Sequence, residues 1–285
     1  MASAETVRLD GERLVLFASA LLERLGLSSD DAMVGAGVLV RTDMRGVRSH
    51  GVRHLPGYAR QIRAGGIVAQ AQRHTVIETP SMATLDGGAG LGHVAAHEAT
   101  MLAIEKARGA GIALVTVRNS NHCGALGHYA LMCAEAGLIG IAVSNCPPIM
   151  TAPGSRARAI GNGPTAYGVP RAGGPPLLFD AAMISQIGSN RIPDRPAGTG
   201  HAVIAIEPAA LMPGFPDRVA ELAALVKESP RAEGVPEILL PGELEHREEG
   251  RARKLGLELD GVIWKELADL AGELGVSREL ERARR

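Results

Sequence analysis

Residues 45–58 read Arg-Gly-Val-Arg-Ser-His-Gly-Val-Arg-His-Leu-Pro-Gly-Tyr. This stretch holds three arginines, two histidines, a serine and a tyrosine within fourteen residues. A histidine has an unperturbed pKa of about 6.5 and can take up or release a proton near neutral pH. Arginine side chains beside it can hold a carboxylate through paired hydrogen bonds. The stretch therefore predicts either a site for proton transfer and anion binding or a solvated basic turn between two helices.

The sequence before this stretch indicates that helices precede it. Apolar residues recur at helical spacing over residues 11–27, and the polar run at 28–31 supplies N-cap groups for a second helix that ends near Met44. A third, short helix is expected to end near residues 65–66. We therefore expect a helical N-terminal subdomain over residues 1–72, with the polar stretch at the end of its second helix.

Beyond residue 72 the pattern changes to strands that alternate with helices, which is typical of a layered α/β sheet. Strands are predicted at 74–78, 82–85, 112–117, 138–143, 201–206 and 237–240. Helices are predicted from Gly87–Gly92 to about 109, and at 125–136, 216–226, 243–255 and 260–274. The Pro- and Gly-rich segment 145–175 reads as loop with one or two short strands, and the charged end, 279–285, is expected to fray.

Composition excludes several classes of protein. The 285 residues are 46% apolar, which is enough to build a core without disulfides. Thirty basic residues against thirty-one acidic ones give a net charge of −1, which argues against a nucleic-acid partner. The three cysteines, Cys123, Cys133 and Cys146, form no Cys-x-x-Cys and fit a reducing cytoplasm. With no long apolar run and no signal-peptide pattern, we expect a cytoplasmic protein without a membrane partner.

The segment Asp43–Val52 resembles the D-x-R-G-x-x-S-H-G-V signature of the malate/L-lactate dehydrogenase family, which is distinct from the Rossmann-type lactate dehydrogenases. Further resemblances follow in family order along almost the whole chain: Leu85–Gly88, Arg118–Leu126, Ser144-Asn145, Ala152-Pro153, Phe179-Asp180 and Pro241–Glu243. The resemblance implies an α/β fold of the non-Rossmann type and NAD(P)-dependent interconversion of a 2-hydroxy acid and its 2-oxo acid. It also implies a homodimer.

Within this resemblance the chain divides into three parts. The helical subdomain, 1–72, carries the Ser-His-Gly motif. Residues 73–242 are expected to form the α/β domain that binds cofactor and substrate. Residues 243–285 are expected to form helices that pack back on the helical subdomain.

His50 and His122 are the candidate catalytic residues. Reduction of a ketone by hydride leaves an alkoxide that must be protonated, and a histidine suits that role at neutral pH. The family's Ser-His-Gly histidine is the acid/base, and His50 matches it; the alternative is a histidine at a helix end. His122 follows a predicted strand, where α/β sheets bind ligands, and it matches a histidine implicated in ureidoglycolate dehydrogenases. A nucleophilic Cys123 beside His122 is disfavoured, because adjacent side chains on a turn point apart.

Four residues of the 45–58 stretch are candidates for substrate binding. Ser49 can orient His50 or contact substrate, and Arg45 matches the arginine of the family's Arg-Gly pair. Many family members carry a substrate-binding arginine four residues after the signature histidine, where this chain has His54. This departure suggests a different substrate or a carboxylate held by His54 as imidazolium. Tyr58 matches a family tyrosine on the same helix face as His54.

The candidate cofactor residues are scattered along the chain. The resemblance assigns positions around NAD or NADP to Ser144, to Asp180-Ala181-Ala182 and to Pro241-Gly242-Glu243. The turn at Gly87–Gly92 is not Gly-x-Gly-x-x-Gly and is interpreted as structural, although a glycine turn before a helix can bind an anion. The sequence does not distinguish NAD from NADP.

The family pattern breaks near residues 186–190. Several dozen residues that normally follow Asp180–Ser185 are absent, including a Lys-Gly-x-Gly-Leu motif whose lysine contacts the cofactor. The family's Gly-Thr-Asn-Pro is also altered, to Gly161–Pro164. One alternative is therefore a degenerate, non-catalytic member that binds a ligand or acts as a scaffold. Another is a metal-dependent hydrolase that uses His93, His97 and His122, although no acidic third ligand stands at a convincing spacing and we expect no metal.

Overall fold

The fold is described from a computed structural model, in which residues 6–151, 154, 156–182, 194–195 and 197–284 are described. In chain order its elements are β1 (Thr6–Leu9), α1 (Gly11–Arg24), α2 (Ser29–Met44), α3 (Leu55–Arg63), β2 (His74–Glu78), β3 (Met82–Asp86), α4 (Gly92–Ala110), β4 (Ile112–Ser120), α5 (Gly127–Glu135), β5 (Ile139–Ser144), β6 (Met150–Thr151), β7 (Arg158–Ile160), β8 (Pro164–Val169), β9 (Leu177–Ala182), β10 (Thr199–Ile206), α6 (Phe215–Glu228), α7 (Glu243–Leu255), β11 (Leu257–Asp260), α8 (Gly261–Leu274) and α9 (Ser277–Ala283).

The first three helices form where the sequence predicts them. The Asp10 side chain accepts a hydrogen bond from the Arg13 N–H at the start of α1, and Ser28 does the same for Asp31 at the start of α2. The apolar stripe of α1 is buried against α2. Two short 3₁₀ turns, Arg48–His50 and Val52–His54, then lead directly into α3.

A seven-stranded sheet with the order β2-β3-β4-β10-β5-β8-β9 forms the centre of the described fold. The β3–β4 pair is parallel and the other pairs are antiparallel, which agrees with the predicted α/β, non-Rossmann class. Alternate residues of β4 and β10, among them Val115 and Val203, are buried together with the alanines of α4. The sheet thereby brings the ends of β4, β5 and β9 to the cavity described below.

The two ends of the described chain meet in one hydrophobic cluster. The strands β1 and β11 pair antiparallel, and apolar residues of α1, α2, α8 and α9 pack together beside them. The expectation that residues 279–285 fray is wrong for the part described, because α9 buries Leu280 and Ala283 against this cluster. The periodicity missed this because two apolar positions in a short, charged segment are a weak signal. The division into parts 1–72, 73–242 and 243–285 remains a prediction.

Two further expectations are corrected in the second half of the chain. No strand forms at 237–240, and just after it the Pro241 carbonyl accepts a hydrogen bond from the Leu178 N–H. The segment 145–175 contains three strands rather than one or two, and β8 is a full member of the main sheet. A glycine and a proline in β8 hid it, although Gly168 is required because a Cβ there would lie 2.2 Å from the Ala130 carbonyl oxygen. Among the described helices, none has the length and apolar character needed to span a membrane.

Candidate active site

A cavity of about 620 Å³ lies between the Ser-His-Gly segment and the main sheet. One side of it, here called the histidine wall, is formed by His50, His54, Tyr58 and His122. The opposite side, here called the strand wall, is formed by Ser144, Asn145, Cys146, Asn162 and Asp180. Of the other predicted site residues, Arg45, Ser49 and Ala181 also line the cavity.

The histidine wall brings three imidazoles together. The ring centroids of His50, His54 and His122 lie 5.2–6.0 Å from one another, although His122 is about seventy residues away in sequence. The Tyr58 ring is stacked on His54, with centroids 5.7 Å apart. Four groups that can hold or move protons therefore face one cavity. For the three that belong to the 45–58 stretch, the sequence predicts such a site.

The buried carboxylate of Asp43 holds this wall in place. Asp43 lies in the last turn of α2, and its Oδ2 accepts a hydrogen bond of 2.7 Å from the Val52 N–H. Its carboxyl group fills the space where a Cβ on Gly51 would lie, only 2.0 Å away, so that position admits only glycine. Burial raises the pKa of Asp43 to about 7, against the lowering effect of the Val52 bond, Arg48 and Arg53.

Hydrogen bonds orient the first two histidines. The Ser49 Oγ lies 2.8 Å from the His50 Nδ1. The His54 Nε2 lies 2.8 Å from the Ser49 carbonyl oxygen, which can only accept, so this nitrogen carries a proton and donates. Burial lowers the pKa of His50, and the nearby positive charge of Arg53 lowers it further. His50 is therefore neutral at pH 7 and able to accept a proton.

Tyr58 contacts the third histidine. Its hydroxyl lies 2.6 Å from the His122 Nδ1. Burial raises the pKa of Tyr58 well above its usual value, so the phenol keeps its proton at neutral pH. The sequence placed Tyr58 among the substrate-binding residues; in the structure its hydroxyl contacts His122 while its side chain still lines the cavity.

Arg45 faces the cavity but is already paired. Its Nη1 donates to the Glu249 Oε2 at 2.9 Å, and both side chains are less than a tenth exposed. Glu249 also pairs with Arg41 and Arg253. The Glu249 carboxylate on α7 thus balances much of the positive charge that the sequence analysis assigned to substrate binding.

The strand wall is held by bonds among its own groups. The Ser144 hydroxyl contacts the His201 Nδ1 at 2.9 Å, and the His201 Nε2 contacts the Ser120 hydroxyl at 3.1 Å. Burial lowers the pKa of His201 to about 4. The Asp180 Oδ2 accepts a hydrogen bond from the Gly127 N–H at the start of α5, a favourable place for a carboxylate. Of Ala182 the structure describes the backbone in β9, paired with Pro164.

The structure does not bring Pro241, Gly242 and Glu243 to this cavity. Gly242 adopts a positive φ of 86° before α7, and Glu243 pairs with Lys227 and, at 3.7 Å, with Arg171. Glu245, in the same first turn of α7, does line the cavity. The residues 241–243 therefore form the start of a helix near the site rather than a wall of it.

Two alternative chemistries find no geometric support. Cys123 is buried, and burial raises the pKa of its thiol to about 12, so the nucleophilic thiolate does not form at neutral pH. Within the described parts of the chain, no group of three or more His, Cys, Asp or Glu residues is arranged to hold a metal ion. His93 and His97 lie on α4 and do not line the cavity.

Sequence reasoning missed several residues that position the site. Asp43 and Asn121 both stood inside the quoted motifs, but no role was assigned to either. The Asn121 Nδ2 donates to the carbonyls of Ala89 and Gly90, and its Oδ1 accepts from the Ala197 N–H, which fixes the backbone next to His122. A carboxylate at the C-terminal end of a helix, where it is disfavoured, was a signal for Asp43. Glu249 gave no signal, because its partner arginines are distant in sequence.

The cavity fits a nicotinamide group in size and in part of its chemistry. Ligand cavities commonly measure about 300–1,000 Å³, and this one combines hydroxyl and amide groups on the strand wall with imidazoles opposite. The lining residues in the described ranges include no lysine, in keeping with the missing Lys-Gly-x-Gly-Leu motif. The hydroxyl and amide groups suit the carboxamide and ribose of such a cofactor, and Arg195, which also lines the cavity, can pair with a phosphate.

Known proteins resemble this chain in sequence and in structure. The family model for malate/L-lactate dehydrogenase matches residues 9–192 and 184–268. A malate dehydrogenase of Pyrococcus abyssi is 43% identical over 182 residues, which cover 64% of this chain and 50% of that protein. The chain thus matches about half of the length of that relative. Malate dehydrogenase from Pyrococcus horikoshii OT3 has the same fold, with a TM-score of 0.89 and 27% identity over 97% of this chain and 98% of that one.

A longer alignment bears on the break in the family pattern. An L-sulfolactate dehydrogenase of Methanocaldococcus jannaschii is 28% identical over 330 residues, which cover 91% of this 285-residue chain and 95% of that protein. That relative therefore holds several dozen residues with no counterpart here. The two pieces of the family match meet at residues 184–192, where the sequence predicts the junction. The junction itself, 186–190, lies outside the described residues.

Proposed function

Because the chain belongs to the malate/L-lactate dehydrogenase family, we propose that it interconverts a 2-hydroxy acid and its 2-oxo acid with NAD or NADP. One observation carries this proposal: His50, His54 and His122 meet on one wall of a cavity, with Tyr58 bonded to His122. The relatives named malate and sulfolactate dehydrogenase support oxidoreductase chemistry on a small hydroxy acid.

His50 transfers the proton. Oxidation of a hydroxy acid removes a proton from the hydroxyl group, and a neutral imidazole in reach accepts it. The lowered pKa of His50 keeps this imidazole neutral at pH 7, and Ser49 occupies its Nδ1, which leaves Nε2 for the reacting oxygen. In the reductive direction the same nitrogen returns the proton, so reduction is favoured at lower pH than oxidation.

His122 assists as a hydrogen-bond donor. Tyr58 keeps its proton, and in the proposed tautomer its hydroxyl donates to the His122 Nδ1, so that the neutral ring carries its hydrogen on Nε2. A donor at this position stabilises the negative charge that develops on the reacting oxygen. Tyr58 therefore acts through His122, in addition to lining the substrate space.

The substrate carboxylate is held chiefly by His54. This imidazole already donates from Nε2 to the Ser49 carbonyl, and it becomes a cation when it is protonated. Arg45 contributes less than a free guanidinium would, because Glu249 balances its charge. Carboxylate binding then weakens as the pH rises, because His54 loses its charge. A permanently charged arginine at this position would not give this pH dependence.

The strand wall would hold the cofactor, which supplies the acceptor or donor of the hydride. Ser144, Asp180 and Ala181 line the cavity opposite the histidines, and the backbone of Ala182 continues the same strand. Pro241, Gly242 and Glu243 would act indirectly, by placing the start of α7 beside the cavity. We further propose a cytoplasmic homodimer in which residues 1–72 and 73–242 together line the cavity, with His122 of the second part completing the histidine wall, and in which 243–285 supports them.

Calorimetric titration of the purified protein with NADH and then NADPH tests the proposal. We expect one of them to bind at micromolar strength and, once bound, to be oxidised by a 2-oxo acid such as oxaloacetate or pyruvate, followed by nicotinamide absorbance. The His50→Ala variant is the matched control, because it should retain binding and lose turnover. Absence of binding for both nucleotides would contradict the proposal and favour the non-catalytic, ligand-binding alternative.

A further inference from the structure

His93 lies directly behind the histidine wall and has no evident use in the chemistry above. It sits in the first turn of α4, is fully buried, and neither of its ring nitrogens has a hydrogen-bond partner among the described residues. Its ring centroid is 5.4 Å from that of Tyr58 and 6.1 Å from that of His122, with ring planes at 75° and 84°. Rings at this separation and angle place the edge of one against the face of the other.

The space around His93 is shaped for an imidazole. Its Nε2 would lie 2.8 Å from a Cβ on Gly124, so any other residue at position 124 would collide with the ring. Gly124 also adopts a positive φ of 79°, which side chains disfavour. The motif Asn121-His122-Cys123-Gly124 thus contains both the candidate donor, His122, and the glycine that admits the ring behind it.

Such a ring is costly in this position. A buried polar group without a hydrogen bond loses its interactions with water and gains nothing in return, whereas a leucine of similar size would pack at no such cost. A buried, unsatisfied group of this kind calls for an explanation. His93 contacts the two residues that form the Tyr58–His122 hydrogen bond, so its effect is expected on that pair.

We propose that His93 is a positioning residue, whose uncharged ring supports the Tyr58–His122 pair from behind and stabilises His122 when that imidazole carries a proton. The face of an aromatic ring attracts a cation that lies over it within about 6 Å. His93 itself stays uncharged because burial lowers its pKa well below the usual value, and the charges of His122 and His54 lower it further. A proton taken up in the site therefore stays on the histidines that face the cavity.

The titratable groups around the pair come from four elements. His50 and His54 in the two 3₁₀ turns and Tyr58 on α3 face His122 from the cavity side, and His93 faces it from α4. His128 on α5 and His201 on β10 lie close enough to His93 to lower its pKa further. His122 is thus the group whose titration should report the change at position 93 most directly.

The test is a nuclear magnetic resonance titration of the imidazoles in the cofactor-free protein, comparing wild type with His93→Leu. We expect the pKa of His122 to fall by about half a pH unit in the variant, which corresponds to the loss of an aromatic face. We also expect the melting temperature to stay the same or rise, because leucine removes the unsatisfied nitrogens. His93→Phe restores an aromatic face, should recover most of the shift, and provides a second reading if the leucine variant folds poorly.

His97→Leu is the matched control. His97 lies one turn further along α4 and also has a buried Nδ1 without a partner among the described residues, but none of its ring contacts involves Tyr58 or His122. It should leave the titration of His122 unchanged. An unchanged His122 titration in His93→Leu, or an equal shift in His97→Leu, would overturn the proposal. Although this inference rests on the proposed function for its purpose, the titration needs neither cofactor nor turnover, so the two can fail separately.

Discussion

The two walls of the cavity differ in how completely their chemistry is assembled. In the histidine wall, His50, His54 and His122 each have a hydrogen-bond partner in the 45–58 stretch, and buried Asp43 fixes the turn that carries two of them. In the strand wall, the hydroxyl of Ser144 and the carboxylate of Asp180 are bonded to groups of the protein itself. The first wall is thus arranged as the proposed proton transfer requires, whereas the proposed cofactor would have to replace internal hydrogen bonds of the second.

This difference follows the sequence. The histidine wall comes from two short, continuous motifs, and the strand wall borders the segment in which the family match breaks. The loss of a lysine-bearing segment changes the groups available to phosphate without touching the residues that move a proton. If the protein is a dehydrogenase, the strand wall limits cofactor affinity while the histidine wall sets the rate and pH dependence of the chemical step. The predictions below change one wall and leave the other as the control.

The largest effect is expected for His50→Ala. Removal of a general acid/base costs roughly 10²–10⁴-fold in turnover, while the melting temperature and the calorimetric affinity for nucleotide should stay unchanged because His50 lies on the opposite wall. Steady-state assays at saturating nucleotide measure the first quantity. Unchanged turnover would remove His50 from the mechanism, and a parallel loss of nucleotide binding would show that the two walls are not independent.

A change of stability with pH is expected from the strand wall. Burial lowers the pKa of His201 from 6.5 to about 4, so below pH 6.5 the unfolded chain binds a proton there that the folded protein refuses. His201 therefore leaves the free energy of unfolding unchanged above pH 6.5 and lowers it as the pH drops towards 4, by about 3 kcal/mol in all. Urea unfolding of wild type and His201→Gln between pH 7 and 4 measures this contribution. It is the difference between the two proteins in how steeply the free energy of unfolding falls with pH.

The glutamine keeps the shape and polarity of position 201 but cannot be protonated. If both proteins lose stability in parallel as the pH falls, His201 is not the source of the acid sensitivity, and the other buried histidines, His93 and His128, become the candidates.

The sequence predicted those parts of the fold and site that depend on local patterns. The helices α1 and α2 follow from apolar spacing and from side-chain caps at Asp10 and Ser28. The strand β8 was not located because its glycine, Gly168, allows close approach to α5, a tertiary requirement that propensity does not express. In the site, the role of Tyr58 depended on a bond to a residue sixty-four positions away, and the charge of Arg45 depended on Glu249. Neither partner could be identified without the fold.

A smaller effect is expected for His54→Arg. If position 54 holds the substrate carboxylate, a permanent guanidinium with two donors should lower the KM for a 2-oxo acid by about tenfold or less, the value of one good charged contact. The same variant should remove the rise of KM with pH that imidazolium binding produces. The control is His54→Gln, which keeps a hydrogen-bond donor without charge and should raise KM at low pH. An indifferent KM in both variants would mean that the carboxylate lies elsewhere in the cavity.

The smallest effect concerns Arg53, which does not line the cavity but acts on His50 through its charge. Removing the charge in Arg53→Gln relieves part of the repulsion and raises the pKa of His50, although burial, the larger cause, remains. Exposed charges in water interact weakly, so we expect a shift of about half a pH unit or less. The acid limb of kcat/KM for hydroxy-acid oxidation should move to higher pH by that amount, and added salt should shift wild type in the same direction. Arg53 also lowers the pKa of Asp43, so the Asp43→Asn background is the control. If the shift caused by Arg53→Gln persists in that background, Arg53 acts directly on His50. If the shift vanishes there, Arg53 acts through the Asp43 carboxylate that holds the turn.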